Sequence, residues 1–338
     1  MKLPQTRGAL AVLGAGSWGT ALALLLARNG VTVRLWGRDS AALEAMISAG
    51  CNTRFLEGFP FPPHLQPCCR IEETLGDITD VLIAVPSAGF RTTLQLLTDH
   101  TTRPLRLAWA SKGLEPCTGK LLHQVAAEVL PDTPLAVLSG PTFAREVAAQ
   151  LPTAITLASN DAAFARDLGA QLHNDRFRVY TSSDIIGVEL GGAVKNVLAI
   201  GAGIADGLGF GANTRAALIT RGLTEMMRLG VALGGQRDTF MGLAGLGDLV
   251  LTCTDDQSRN RRLGLGLAAG KSLAQTLAEI GQVVEGVQSA CEIVREAQRL
   301  AVDLPIVYQV YRVLHEDLAP AAAVNALLQR EQKSEEFH

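Results

Sequence analysis

One glycine motif near the start of the chain most restricts the fold that the chain can adopt. Leu10–Leu13 is a short apolar run that predicts a β-strand, and it leads into a GxGxxG motif at residues 14–19. A helical pattern follows over Thr20–Arg28, and a second apolar strand pattern begins at Val31. The motif alone is weak evidence, but this order of strand, glycine loop, helix and strand is typical of a dinucleotide-binding fold.

Each glycine of the motif has a physical purpose in such a fold. Gly14 permits a tight turn, Gly16 lets a pyrophosphate approach the backbone, and Gly19 brings the helix close to the strand. The free N–H groups at the helix start, around Ser17 and Trp18, would then hold the anion. The alternative is a packing turn without a ligand, which the strand and helix on either side disfavour.

The residues after the second predicted strand, Val31–Trp36, give a mixed signal about the cofactor. Arg38 is followed at once by Asp39. An acidic side chain at this point favours the ribose 2′-hydroxyl of NAD, whereas an arginine favours the 2′-phosphate of NADP. Because Arg38 comes first, the sequence favours NADP(H), with NAD(H) accepted as well. The alternative is that Arg38 is an ordinary surface charge.

The pattern of the chain changes near residue 183. Before that point, short apolar runs alternate with helical patterns. Nearly continuous apolarity is typical of strands that are buried on both faces, so we expect a doubly wound, mostly parallel sheet. After that point the chain is a series of helical patterns with glycine-rich joints. We therefore expect an α/β, Rossmann-like domain over residues 1–183, an all-helical domain over 184–330 and a polar tail over 331–338.

The predicted elements can be stated residue by residue. The predicted strands are Leu10–Leu13, Val31–Trp36, Val81–Val85, Leu105–Ala110, Leu135–Leu138 and Ala154–Leu157, with Phe177–Tyr180 as a further candidate. The predicted helices of the second domain are Ile186–Ile204, Asn213–Leu229, Asn260–Ala269, Leu273–Ile280, Val287–Leu300 and Ala321–Gln329.

Composition narrows the classes of function. Of the 338 residues 48% are hydrophobic and 19% are charged, and the net charge is −3. Soluble domains average about 25% charged residues, so this chain has a large apolar interior and few charges. Without a basic excess we expect no nucleic-acid partner.

The sequence carries no pattern typical of membrane insertion, secretion or metal binding. No uninterrupted apolar run reaches the roughly 20 residues of a spanning helix. Residues 1–7 contain no signal-peptide pattern, and the six cysteines show no CxxC spacing. We expect a cytoplasmic, reduced protein with no membrane insertion and no metal.

Lys195 lies in a helical pattern that is otherwise almost wholly apolar. Gly191 and Gly192 precede it on the same helix face, and the sequence predicts a bare surface there beside the ammonium group. Burial would lower the pKa of Lys195 toward the range that is useful for proton transfer. Two alternatives remain open: the side chain reaches the surface, or it pairs with Glu189.

Lys112 follows the predicted strand Leu105–Ala110, and the carboxyl ends of such strands are where ligands bind. The next strand ends in Ser139–Thr142, at the same edge of the sheet. This placement favours a functional lysine over an ordinary surface lysine. A nearby Lys112 would lower the pKa of Lys195, and a nearby Asp248 would raise it.

Two motifs of the helical part are suited to an anionic ligand. Residues 242–248 place three glycines before Asp248, which lets backbone and carboxylate approach a ligand closely. Ser258, Arg259 and Asn260 at a helix start offer a hydroxyl, a guanidinium, an amide and free N–H groups, which together suit a phosphate. Taken alone, these three residues are better explained as an ordinary capped helix with Ser258 as the N-cap.

Together these segments resemble bacterial NAD(P)-dependent glycerol-3-phosphate dehydrogenases. The resemblance covers about residues 8 to 330, and its later motifs are far more specific than the glycine loop. The matching segments are 14–23, 111–115, 138–146, 188–196, 202–211, 242–248, 257–262 and 283–286.

The resemblance implies reversible oxidation of sn-glycerol 3-phosphate to dihydroxyacetone phosphate, which supplies glycerol 3-phosphate for phospholipid synthesis. It also implies a helical domain like that of 6-phosphogluconate dehydrogenase, a homodimer, and Lys195 as the general acid and base. The implied substrate contacts are Lys112, Gly140, Thr142, Lys195, Asp248, Ser258, Arg259 and Asn260. The implied cofactor contacts are Ser17, Trp18, Arg38, Lys112, Ala144, Arg259, Val283 and Glu285.

Two other interpretations remain open. A dehydrogenase of a β-hydroxyacid or of phosphogluconate has a similar layout, although the cradle at 258–260 and the turn at Gly247–Asp248 favour a small phosphorylated substrate. A non-catalytic NADP-binding sensor belongs to a different class of function. Such a sensor would not need Lys112, Lys195 or Asp248. With a net charge of −3, attraction of anions must be local, so we expect Arg38, Lys112, Lys195 and Arg259 in one cleft.

Overall fold

The structure, a computed structural model, describes residues 8–331. Residues 1–7, the segment in which the sequence showed no signal-peptide pattern, lie outside the described residues. The same holds for all of the predicted polar tail except Glu331.

The chain forms one sheet followed by a series of helices. The strands are β1 (Ala9–Leu13), β2 (Thr32–Trp36), β3 (Leu65–Cys68), β4 (Asp80–Ile83), β5 (Arg106–Trp109), β6 (Leu135–Ser139), β7 (Thr153–Ser159) and β8 (Phe177–Ser182). The helices that accompany them are α1 (Ser17–Arg28), α2 (Ser40–Ala49), α3 (Ile71–Leu75), α4 (Phe90–His100), α5 (Leu122–Val129), α6 (Ala144–Ala148) and α7 (Ala162–Leu172). A 3-10 turn at Ser87–Gly89 precedes α4.

The helices that follow the sheet are α8 (Ile185–Gly207), α9 (Ala212–Ala232), α10 (Arg237–Met241), α11 (Asp248–Thr254), α12 (Arg259–Ala268), α13 (Leu273–Ile280), α14 (Glu285–Arg299), α15 (Pro305–His315) and α16 (Pro320–Leu328). A π-helical turn at Leu243–Gly247 leads directly into α11. The sequence did not predict α10, α11 and α15.

The sheet confirms the predicted doubly wound, mostly parallel architecture. Its strand order is β3-β2-β1-β4-β5-β6-β7-β8, and all neighbours are parallel except β6 and β7. The predicted strands are all present, and β3 is an addition. The sequence did not indicate β3 because its residues are Leu-Gln-Pro-Cys, and a proline is tolerated in a strand only at a sheet edge.

Burial on both faces explains why the strands are continuously apolar. Leu10 and Val12 of β1 face the core under α1, α6 and α7. Ala11 and Leu13 face the opposite core, which α2, α3, α4 and α5 cover. The side chains of a strand alternate between its two faces, so both sets of positions must be hydrophobic.

Helix α8 is the centre of the helical part and packs against α9, α11, α12, α14 and α15. It is long and apolar enough to cross a membrane by length and composition, but 94% of its most apolar window is buried inside the protein. A Cβ atom at Gly203 would lie 2.1 Å from the carbonyl oxygen of Arg261, so glycine lets the backbones of α8 and α12 touch. Val188 of α8 also packs into a core of the sheet, which joins the two parts.

A buried carboxylate joins α9 to α15. Glu225 of α9 accepts hydrogen bonds from the N–H groups of Ile306 and Val307, at 2.7 and 3.1 Å. These N–H groups belong to the first turn of α15 and have no partner within their own helix. Burial raises the pKa of Glu225 to about 7.

We expect Glu225 to make stability dependent on pH. The folded-state pKa is raised above the unfolded value, so the contribution of Glu225 is fully present below about pH 4.5 and is lost as the pH rises through about 7. Urea unfolding of wild type and Glu225→Gln should show the wild-type advantage falling by about 2–3 kcal/mol between pH 5 and 8. Glu44→Gln, which changes an exposed carboxylate, is the control. A wild-type advantage that stays constant over this range would contradict the assignment.

Candidate active site

A buried carboxylate binds two lysines at the junction of the sheet and the helices. Asp248, the first residue of α11, is 1% exposed. Its Oδ2 atom accepts a hydrogen bond from Lys112 Nζ at 2.7 Å, and its Oδ1 atom accepts one from Lys195 Nζ. Lys195 Nζ also donates to Thr252 Oγ1 at 2.9 Å. The three charged side chains come from α8, from α11 and from the loop after β5.

Burial is the main influence on the ionisation of this cluster. It lowers the pKa of Lys195 from 10.5 to about 8, while Asp248 acts to raise that pKa and Lys112 acts to lower it. For Asp248, burial acts to raise the pKa, but the two ammonium groups more than compensate and hold it below its usual value. Neither alternative for Lys195 is correct: the side chain is buried, and Glu189 binds His123 instead.

The glycines beside Lys195 do not leave the bare surface that the sequence predicted. A Cβ atom at Gly191 would lie 2.3 Å from the carbonyl oxygen of Ala244, so the π-helical turn packs directly on α8 there. A Cβ atom at Gly192 would lie 2.8 Å from Ser139 Oγ and 3.4 Å from Lys112 Cγ. Protein atoms therefore occupy this face. The close backbone approach is what brings α11, and with it the aspartate, to the lysine.

The prediction of a turn at Gly247–Asp248 is also wrong. Gly247 ends the π-helical turn, and Asp248 begins α11 without an intervening turn. A Cβ atom at Gly247 would lie 3.6 Å from Pro141 Cγ, so the loop after β6 packs on this point. In that loop Thr142 Oγ1 donates to the carbonyl oxygen of Gly140 at 3.1 Å. Gly140 and Thr142 therefore lie next to the start of α11.

At the start of α12, Ser258 and Arg259 differ in how many of their hydrogen-bonding groups already have partners within the protein. Ser258 Oγ caps the helix by accepting the N–H of Arg261 at 3.2 Å, as the simpler interpretation predicted. Arg259 Nη1 donates to the carbonyl oxygen of Val283 at 2.8 Å and to Gln282 Oε1 at 3.4 Å. Within residues 8–331 these bonds use only one guanidinium nitrogen, so the other two are available to an anion.

Asn260 belongs to a chain of amide contacts. Its Nδ2 donates to Asn196 Oδ1 at 2.9 Å, and its Oδ1 accepts the N–H of Gly286 at 3.0 Å. Asn196 Nδ2 lies 3.4 Å from Glu285 Oε2. Burial raises the pKa of Glu285, while the charges of Arg259, Lys112 and Lys195 act to lower it. Glu285 therefore lies within the field of all three cations, which places them around one site.

The glycine loop has the geometry that a dinucleotide needs. Gly14 has a φ of +124°, and a Cβ atom at Gly19 would lie 1.9 Å from the carbonyl oxygen of Gly14. By contrast, a Cβ atom at Gly16 would meet nothing within 4 Å, so the space over the loop is open. No side chain caps α1, which leaves the N–H groups around Ser17 for an anion. Trp18 Nε1 is buried and has no hydrogen-bond partner among the described residues.

Three other implied cofactor residues, Arg38, Ala144 and Val283, lie outside the hydrogen-bonded lysine cluster. Arg38 is exposed and follows β2, while Ala144 begins α6. Val283 is 55% exposed, just before α14. Of the four cations expected in one cleft, contacts and fields connect Lys112, Lys195 and Arg259. Within the part of the chain that the structure describes, no hydrogen bond or ion pair connects Arg38 to them.

Two polar residues of the site had no predicted role. Asn196 follows Lys195 in an otherwise apolar helix. A polar side chain in such a helix could have indicated that Asn196 belongs to the site. Thr252 lies four residues after Asp248 and therefore on the same face of α11, which was the signal for that residue. Among residues 8–331, no group of three or more His, Cys, Asp or Glu side chains is placed to hold a metal ion.

Family models and individual relatives agree on one protein family. Two family models match, the NAD-dependent glycerol-3-phosphate dehydrogenase N-terminus over residues 9–165 and its C-terminus over residues 184–325. The chain is 60% identical to a glycerol-3-phosphate dehydrogenase [NAD(P)+] of Nitrosococcus oceani, over 96% of this chain and 94% of that protein. It is 57% identical to the one of Thioalkalivibrio sulfidiphilus, over 96% and 98% of the two chains.

A solved structure agrees with these relatives. The crystal structure of glycerol-3-phosphate dehydrogenase from Coxiella burnetii superposes with a TM-score of 0.93 at 52% identity. The match covers 95% of this chain and 99% of that chain. The resemblance identified from the sequence motifs is thereby confirmed.

We expect Asp248→Asn to lower the pKa of Lys195 further. Asp248 is the main group that raises this pKa, so its removal leaves burial and Lys112 unopposed. A lysine-selective NMR titration should give a midpoint near 8 in wild type and a lower one in the variant. Lys195→Met assigns the resonance, and Asp167→Asn, which changes an exposed carboxylate, is the control. A wild-type midpoint near 10.5, or an upward shift in Asp248→Asn, would contradict the assignment.

Proposed function

The chain belongs to the NAD-dependent glycerol-3-phosphate dehydrogenase family, and we propose that it reversibly interconverts sn-glycerol 3-phosphate and dihydroxyacetone phosphate with NADP(H) or NAD(H). The observation that carries the proposal is the buried Lys112–Asp248–Lys195 cluster, whose two lysines act together with Arg259 to lower the pKa of Glu285. Family membership favours this function over a β-hydroxyacid or phosphogluconate dehydrogenase. It equally favours an enzyme over a sensor without catalysis.

The chemistry that this chain supplies is proton transfer and charge stabilisation. A bound nicotinamide dinucleotide supplies or accepts the hydride. Lys195, with a pKa of about 8, donates a proton to the C2 oxygen of dihydroxyacetone phosphate as an ammonium group. In the oxidative direction the neutral amine accepts the proton from the C2 hydroxyl. Asp248 and Thr252 hold the Lys195 Nζ atom in place for both directions.

The phosphate of the substrate is assigned to the start of α12. Arg259 offers the two guanidinium nitrogens that the protein does not use, and Ser258 keeps its own hydroxyl proton although its oxygen caps the helix. The charge of Lys112 acts on Glu285 together with that of Arg259, and we assign Lys112 as a second positive charge for this phosphate. We assign substrate contacts to Lys112, Gly140, Thr142, Lys195, Asp248, Ser258, Arg259 and Asn260.

The cofactor is assigned to the open side of the glycine loop and to the edge that faces α14. The uncapped N–H groups of α1 fit the pyrophosphate, and the unpartnered Trp18 Nε1 offers a further donor. We assign cofactor contacts to Ser17, Trp18, Arg38, Lys112, Ala144, Arg259, Val283 and Glu285.

The remaining parts of the proposal concern the organisation of the protein. Residues 1–183 form the cofactor domain and residues 184–330 the helical substrate domain. We expect a homodimer in the cytoplasm that does not insert into membranes and that supplies glycerol 3-phosphate for phospholipid synthesis.

The most direct test is the oxidation of NADPH and NADH by the purified protein with dihydroxyacetone phosphate as substrate. We expect turnover with the triose phosphate and none with a β-ketoacid or with a keto form of phosphogluconate. The test measures the absorbance of the reduced nicotinamide. Turnover with a rival substrate and none with dihydroxyacetone phosphate would overturn the proposal.

We expect Lys195→Ala to reduce kcat by about 10²–10⁴, the usual range for the loss of a general acid or base. Binding of NADPH should remain, since Lys195 lies in the substrate part of the site. Steady-state kinetics and a fluorescence titration of NADPH measure the two effects. Lys271→Ala, which changes an exposed lysine, is the matched control. Near-wild-type turnover in Lys195→Ala would remove this residue from the mechanism.

A further inference from the structure

Asp39, the acidic residue that could bind the ribose of NAD, already has two partners within the protein. Asp39 Oδ1 accepts the N–H of Ala42 at 3.0 Å and thereby caps α2. Asp39 Oδ2 lies 3.6 Å from Arg54 Nη1. Both carboxylate oxygens thus have partners. A carboxylate that binds the ribose hydroxyls of NAD must offer its free lone pairs to them, and in Asp39 one lone pair of each oxygen already has a partner within the protein.

Arg54 is held at a fixed place relative to the glycine loop. Asn52 is fully buried, and its Nδ2 donates to the carbonyl oxygen of Ala15 at 3.0 Å and to Thr20 Oγ1 at 2.8 Å. Its Oδ1 accepts the N–H of Phe55 at 3.1 Å. The guanidinium of Arg54 lies over the ring of Phe55, 4.9 Å from the centroid. An exposed arginine is therefore anchored through Asn52 to the cofactor loop.

Asp39 and Arg54 both line a surface pocket of about 230 Å³ between the start of α2 and residues 52–54. Arg38 immediately precedes Asp39 in the chain. In a Rossmann-like fold the adenosine ribose lies beyond the carboxyl end of the second strand, which is the position of this pocket. Arg54 therefore lines the expected position of the ribose, and Arg38 lies one residue before the lining residue Asp39.

We propose that Arg54 is the second guanidinium, with Arg38, that binds the 2′-phosphate of NADP(H), and that Asp39 positions Arg54 and caps α2 instead of binding the ribose. The inference rests on the proposed function, because it requires a dinucleotide on the glycine loop. A phosphate dianion matches two guanidinium groups in charge and in geometry. The ion pair between Asp39 and Arg54 is exposed, and such pairs contribute little, so the phosphate replaces it at small cost.

The test compares two probes that differ only in the 2′-phosphate, adenosine 2′,5′-bisphosphate and 5′-AMP, by isothermal titration calorimetry. Arg54→Ala should weaken binding of the bisphosphate about tenfold and leave binding of 5′-AMP unchanged, because only the first probe has the 2′-phosphate that the lost guanidinium would bind. Arg166→Ala, which changes an exposed arginine on α7, is the matched control. The unfolding temperature of each variant shows that it is folded.

A second variant separates the two roles of Asp39. Asp39→Asn keeps an oxygen for the helix cap and removes the charge. We expect it to tighten binding of the bisphosphate several-fold and to leave 5′-AMP binding unchanged. Weaker 5′-AMP binding in this variant would show that Asp39 binds the ribose and would overturn the inference. An equal affinity ratio of the two probes in Arg54→Ala and wild type would overturn it as well. If wild type bound neither probe but oxidised NADPH with dihydroxyacetone phosphate, the inference would be overturned and the proposed function would stand.

Discussion

The pairing of one buried carboxylate with two ammonium groups is the interaction on which the architecture of this protein depends. An unpaired charge in the interior is very costly, so Asp248, Lys112 and Lys195 are stable there only together. Lys112 comes from the edge of the sheet, while Lys195 and Asp248 come from α8 and α11. The ion cluster forms only when the helices dock on the sheet, so assembly of the two parts also assembles the groups to which we assign the proton transfer.

The loop that carries Lys112 shows how firmly that docking is controlled. At its outer end Cys117 has a φ of +68°, a conformation that is strained for a residue other than glycine. Glu292 of α14 accepts the N–H of Cys117 at 3.0 Å, and Arg295 donates to its carbonyl oxygen at 2.7 Å. The loop is thus bound by α14 at one end and by Asp248 at the other. Since α14 begins at Glu285, one helix contacts both the lysine loop and the assigned cofactor edge.

Much of the fold could be predicted because burial restricts which residue types a segment can contain. Strands buried on both faces must be apolar throughout, and a glycine loop between strand and helix has few other uses. The edge strand β3 shows no such pattern, since its Pro67 and Gln66 read as a loop. Within the site, Lys195 was conspicuous as a charge in an apolar helix. Asp248 could be named as a candidate partner, but the pattern alone could not show the contact, because Asp248 lies 53 residues further along the chain and only the packing of α11 on α8 brings them together.

The scarcity of charge in this chain determines how it can attract anions. A net charge of −3 gives no long-range attraction for a phosphorylated substrate and a dinucleotide, so the positive potential must be concentrated at the site. Lys112, Lys195 and Arg259 supply it in a low-dielectric setting, where each charge acts more strongly than in water. One carboxylate orients the two lysines without cancelling their combined charge. In the proposed arrangement Arg38 and Arg54 act separately at the adenosine end, so cofactor preference could change without disturbing the lysines assigned to proton transfer.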